Sequence, residues 1–91
     1  LDQAILDFDR AIQLVPGKVE AYYNRGNAFK AKGLLDQAIS DYTQAIQIKP
    51  DYAEAYYTRS NAYKAKGLFD QAASDYNKAI QLKPRLHKKL E

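Results

Sequence analysis

The sequence predicts an all-α fold, an α-solenoid of antiparallel helix hairpins with five helices. Three observations lead there. The stretch 19–52 recurs as 53–86; each repeat carries apolar residues at helical spacing; and no stretch alternates apolar and polar with period two. Residues 19–52 and 53–86 agree at 23 of 34 positions, including AYY at 21–23 and 55–57 and KAKGL at 30–34 and 64–68. Residues 1–18 align with 35–52 through LDQAI, Asp7/Asp41, AIQ and Pro16/Pro50. The organisation is a half repeat at 1–18 (a second helix only), full repeats at 19–52 and 53–86, and a tail at 87–91. All of it makes one domain, as the length of 91 residues allows.

Each helix has its own local reason. The first, over about residues 1–14, carries Ala4, Phe8 and Ala11 on one face and stops before Pro16. The second, about 19–32, carries Tyr22, Gly26 and Phe29, and Gly33 interrupts it. The third, about 36–48, resumes the period with Leu35, Ala38, Ile39, Tyr42, Ala45 and Ile46 before Pro50. The fourth, about 53–66, is expected to open with a capping box made by Asp51 and Glu54. The fifth, about 70–82, repeats the third. Asp2, Asp36 and Asp70 sit at the starts of the second-type helices, where negative charge suits the helix dipole. Connections this short make neighbouring helices antiparallel. Small residues (Gly26, Ser60, Ala38, Ala45, Ala72, Ala79) opposite Tyr22, Phe29, Tyr42, Tyr56, Tyr63 and Tyr76 allow close helix packing.

Composition excludes several classes of function. There is no cysteine and a single histidine, His87, so thiolate chemistry, zinc–sulfur sites and multi-histidine metal sites are not expected. His87 has no serine or acidic partner placed near it by the repeat. Asp7, Asp41 and Asp75 recur with the period, as structural positions do and a single active site would not, so the Asp7/Asp9 pair is not read as catalytic. The glycines form no phosphate-cradling loop. No enzyme activity and no cofactor are expected. The net charge of +3 comes from Lys83, Arg85, Lys88, Lys89 and Glu91, leaving ten basic and ten acidic groups in residues 1–82. A neutral body gives no reason to expect nucleic acid. No apolar run has the roughly 20 residues of a membrane span. No signal segment is recognised, and with the lack of cysteine this points to the cytoplasm.

The order aromatic, small, aromatic, Gly, Ala, aromatic, Ala, Pro is Tyr22, Gly26, Phe29, Gly33, Ala38, Tyr42, Ala45 and Pro50 in one repeat. In the next it is Tyr56, Ser60, Tyr63, Gly67, Ala72, Tyr76, Ala79 and Pro84. This pattern resembles the tetratricopeptide repeat over residues 1–86. The resemblance implies a concave groove lined by the first helix of each repeat, and a non-enzymatic role in binding a peptide or partner protein. Carried over by position, the groove residues are Glu20, Tyr23, Asn24, Asn27 and Lys30, then Glu54, Tyr57, Thr58, Asn61 and Lys64, with Ala31 and Ala65 beside them. The alternative is an engineered or minimal scaffold with no ligand. The clamp that some relatives use on chaperone C-terminal carboxylates is not expected. Asn24 and Asn27 match its asparagines, but Tyr23, Glu54 and Thr58 occupy its basic positions.

Arg25 and Arg59 replace an apolar residue usual for the resemblance, and are read as structural ion pairs. The pairings expected are Arg25 with Asp7 and Arg59 with Asp41, in each case an aspartate on the preceding helix. Asp41 for Arg25 and Asp75 for Arg59, on the helix that follows, are the other candidates. Both ends of a solenoid leave apolar faces uncovered. Ala4, Phe8 and Ala11 at one end and Ala73, Ile80 and Leu82 at the other therefore suggest a weak homodimer or head-to-tail stack.

Overall fold

A computed structural model describes residues 2–86. His87, Lys88, Lys89, Leu90 and Glu91, named above for the tail, lie outside the described residues. Among the described residues five helices run in order: α1 (Asp2–Leu14), α2 (Val19–Ala31), α3 (Leu35–Ile48), α4 (Ala53–Ala65) and α5 (Phe69–Leu82). No strand occurs among them. Pairs α2–α3 and α4–α5 form hairpins, α1 packs on α2, α3 packs on α4, and α2 touches α4.

Within each hairpin the turn is closed by the glycine that ends the first helix. Gly33 and Gly67 adopt φ of 81° and 80°, the left-handed conformation that disfavours other residues. Leu34 N–H then reaches Phe29 C=O at 2.9 Å and Gly33 N–H reaches Lys30 C=O at 2.9 Å, a Schellman cap. Leu68 and Gly67 repeat it onto Tyr63 and Lys64 at 2.9 and 3.0 Å. The N-termini are plainer. Asp36 and Asp70 lie in the first turns of α3 and α5 as expected. The capping box expected from Asp51 and Glu54 is absent. Tyr52 is the residue at the α4 N-cap, with no side-chain cap, and the Glu54 carboxylate is taken by Lys83 at 2.6 Å.

The core is built of alanines around tyrosine rings. Ala38, Tyr42 and Ala62 form one buried cluster, joined by Tyr23, Phe29, Leu35 and Ile39. Ala53, Ala79 and Leu86 form the second, with Tyr56, Tyr57, Ile80 and Leu82 against it. Ile80 and Leu82, expected to await a covering helix, are therefore partly covered by Leu86. Tyr42 is the largest fully buried side chain among the described residues. It fits because Gly26 has no Cβ: one built there would meet the Tyr42 ring at 2.7 and 2.9 Å. Glycine inside a helix ordinarily costs about 0.5–1 kcal/mol relative to alanine. Here the sign reverses. Gly26→Ala is expected to destabilise by about 1–3 kcal/mol through overpacking, read as a lower denaturation midpoint at unchanged slope.

Candidate functional site

The arginines organise the hairpins, with partners other than the ones expected. Arg25 donates through Nε and Nη2 to both oxygens of Asp41, each at 2.7 Å, and through Nη1 to Asp9 at 2.8 Å. Arg59 holds Asp75 in the same bidentate way at 2.6 and 2.8 Å and reaches Thr43 Oγ1 at 3.1 Å. The pairings Arg25–Asp7 and Arg59–Asp41 are thus corrected to Arg25–Asp41 and Arg59–Asp75, with the partner on the helix that follows each arginine. The reason is helical phase. Two residues turn a helix by about 200°, so Asp9 faces the helix that follows α1, and Asp7 faces away from it. Each guanidinium also lies between two aromatic rings: Tyr22 and Phe29 at 5.7 and 5.8 Å, Tyr56 and Tyr63 at 5.6 and 5.7 Å. The Asp41 and Asp75 bonds raise the two arginine pKa values against the opposing effect of burial. Asp41 and Asp75 are buried. Among the described residues, no buried side-chain polar atom lacks a partner.

The predicted groove residues occupy different environments. Glu20 and Asn24 on α2 are exposed. Tyr23 and Asn27 are half-buried and partly engaged. The Tyr23 ring lies 5.0 Å from that of Tyr52 and 5.9 Å from that of Tyr42, and Asn27 Oδ1 accepts the Tyr42 hydroxyl at 2.6 Å. Burial pushes the Tyr42 hydroxyl up to about 12, so it stays a donor at neutral pH. On α4, the Thr58 hydroxyl donates to its own helix, to Glu54 C=O at 2.9 Å. Lys83 holds the Glu54 carboxyl below its usual range. Lys30 is half-buried, with its end of α2 at the hairpin turn.

Tyr57, Asn61 and Lys64 are the ones brought together. With Ser60, Phe69, Ala72, Ala73 and Tyr76 they line an open cavity of ≈ 390 Å³ between α4 and α5. Its apolar lining is Phe69, Ala72 and Ala73, and its polar groups are the Asn61 amide, the Lys64 ammonium, the tyrosine hydroxyls and the Ser60 hydroxyl, which donates to Tyr57 C=O at 2.6 Å. Phe69, Ala73 and Tyr76 lie on α5, outside the first-helix face to which the resemblance points. The repeat itself carried the signal: the equivalent positions of the preceding repeat are Leu35, Ile39 and Tyr42, on which α4 packs. Among the described residues, no group of His, Cys, Asp and Glu could hold a metal ion, and no helix is long and apolar enough to cross a membrane.

Family models for the TPR repeat match residues 1–33 and 26–67, and one for the tetratricopeptide repeat matches residues 53–86. The chain belongs to the tetratricopeptide-repeat family. Similar solved structures agree. The crystal structure of MamA is 36% identical with a TM-score of 0.85, over 92% of this chain and 49% of that one. The Arabidopsis OM64 TPR domain is 30% identical with a TM-score of 0.90, over 92% and 69%. The first TPR of Spaghetti (RPAP3), bound to the HSP90 peptide SRMEEVD, is 26% identical with a TM-score of 0.89, over 91% and 66%. This chain therefore spans about half the length of MamA. No curated protein is matched by the sequence. The fold is that of a protein–protein interaction module.

Proposed function

We propose that the face formed by α2 and α4 binds an extended peptide or a peptide-like segment of a partner protein. The observation that carries this reading is the convergence of Tyr57, Asn61 and Lys64 on one open, partly apolar cavity. Such a cavity suits an apolar anchor side chain, and the Asn61 amide can both donate to and accept from the ligand backbone beside it. Tyr23 and Tyr57 extend the surface as rigid aromatic area with little rotamer entropy to lose. Glu20, Asn24, Asn27, Lys30, Glu54 and Thr58 complete the face. The ligand of the RPAP3 neighbour supports peptide binding as the mode. A carboxylate clamp is not part of the proposal, since Tyr23, Glu54 and Thr58 supply no cation where one is needed.

The test is a peptide array probed with the chain, followed by titration of the best sequences. Tyr57→Ala with Asn61→Ala is expected to weaken binding at least tenfold, because central aromatic contacts dominate such interfaces. Arg10→Ala, on exposed α1 surface, is expected to leave it unchanged. Peptides that bind the double variant as well as the original chain would refute the site.

A second reading, a scaffold that self-associates through its ends, is favoured by Leu14 at 82% and Phe69 at 65% exposure. Light scattering over a dilution series separates it. A mass that rises with concentration supports end-to-end association, and a constant single-chain mass up to millimolar concentration excludes it.

A further inference from the structure

The two full repeats use the same pair of charges differently. Glu20 and Glu54 are counterparts in the repeat, and so are Lys49 and Lys83. In the second repeat Lys83 closes on the Glu54 carboxylate at 2.6 Å. In the first, the Lys49 ammonium lies instead over the Tyr52 ring, 4.9 Å from its centroid. Among the described residues no ion pair engages Glu20, whose side chain is exposed. The difference follows Tyr52, whose counterpart is Leu86. An aromatic face attracts a cation and a leucine does not. The Tyr52 ring also packs on that of Tyr23 at 5.0 Å. Burial, helped by Tyr23, Glu54 and Glu20, raises the pKa of its hydroxyl, so Tyr52 is a neutral ring within electrostatic reach of both glutamates.

We infer that Glu20, Tyr23 and Tyr52 form a subsite for an arginine side chain of the bound peptide, which displaces Lys49 from the Tyr52 ring. The inference rests on the peptide-binding reading of the α2–α4 face and adds the charge of its ligand. Lys49 is exposed, and an ammonium held by one ring in contact with water is weakly held. An arginine gains more, because its planar guanidinium can lie on a ring while its edge meets a carboxylate. The molecule makes that combination twice, with Arg25 and Arg59 each between two rings and bidentate on an aspartate. In the subsite the ring is Tyr52 and the carboxylate is Glu20. Glu54 adds negative potential and keeps Lys83 as its partner. Charge also sets the position along the groove. Lys30 and Lys64 lie in the last turns of α2 and α4, about 15 Å along the helix from Glu20 and Glu54, where they repel a cation.

The probe is an array of capped, fluorescein-labelled heptapeptides with an apolar anchor, in which each other position in turn is arginine, citrulline, lysine or glutamate. Citrulline keeps the shape of arginine without its charge. The best arginine peptide, titrated by anisotropy against the full chain, is expected to bind about tenfold more tightly than its citrulline counterpart. Glu20→Gln and Tyr52→Leu are each expected to remove most of that advantage. Lys49→Ala is expected to raise the arginine affinity about threefold, since it removes the competing cation. Lys78→Ala makes the same change of charge on the outer surface of α5 and is expected to leave the affinity unaltered. Glu20 is exposed, so an unchanged thermal midpoint shows that Glu20→Gln keeps the fold, and this variant carries the test if Tyr52→Leu unfolds. Equal binding of arginine and citrulline peptides, lost in Tyr57→Ala with Asn61→Ala, overturns the subsite and leaves the peptide reading standing. A preference for glutamate peptides does the same, with Lys30 and Lys64 as the contacts. An arginine preference that survives Glu20→Gln also overturns the subsite. Binding of no peptide overturns both.

Discussion

Asp41→Ala is expected to destabilise the chain by about 3 kcal/mol, whereas Asp7→Ala should change stability by no more than about 0.5 kcal/mol. The asymmetry follows from burial. Asp41 is 3% exposed and accepts two bonds from Arg25, whose side chain is 21% exposed. Removing the carboxylate leaves a largely desolvated guanidinium with Asp9 as its remaining anionic partner. Breaking a buried pair costs about 3–5 kcal/mol, and the low end applies because Asp9 stays and Arg25 keeps some solvent. The Asp7–Arg10 pair is long and exposed, the kind that contributes almost nothing. A domain of this size has about 5–15 kcal/mol to lose, so Asp41→Ala should lower the urea midpoint sharply. Equal effects of the two substitutions would mean that the ion-pair register is wrong.

Tyr42→Ala is expected to cost about 3–5 kcal/mol, the range for deleting a buried aromatic ring. Tyr42 is fully buried between α2 and α4, and its ring fills the space that Gly26 leaves. Tyr42→Phe keeps the ring and loses the bond to Asn27, so about 1 kcal/mol is expected from that change. Tyr76, the counterpart in the second hairpin, is half-buried at the α4–α5 cavity. Its replacement by alanine should cost clearly less. Denaturant titrations of the three variants rank them directly. Equal losses for Tyr42→Ala and Tyr76→Ala would contradict the account of where the core lies.

Much of this architecture was legible in the residues. The repeat register and the Pro16, Gly33, Pro50 and Gly67 interruptions locate all five helices to within a residue or so. That precision comes from repetition, since each boundary is read more than once. The pairing of Asp41 with Arg25 was less legible. Asp7 and Asp41 both fall on helices that neighbour Arg25, and only the rotation of each helix about its axis chooses between them. The failed capping box at Asp51 has a similar cause. Spacing alone cannot tell that Lys83, far along the chain from Glu54, takes the carboxylate that the cap would use. For the proposed site, Tyr57, Asn61 and Lys64 share one helical face legible in the sequence, but Phe69, Ala73 and Tyr76 join them around the cavity only when α5 is laid against α4. Tyr23 and Asn27 lie on the expected helix, yet their contacts with Tyr42 and Tyr52 draw them partly into the packing between repeats.

The central functional claim is that ligand meets the first helices. Amide chemical-shift mapping of the labelled chain, titrated with the best peptide from the array, tests it most directly. The account predicts shifts concentrated at Tyr23, Asn24, Asn27, Tyr57, Asn61 and Lys64, with Gln37, Ser40, Gln44 and Lys78 on the exposed outer surfaces of α3 and α5 unmoved. Shifts confined to α3 and α5, with α2 and α4 silent at saturation, would contradict it.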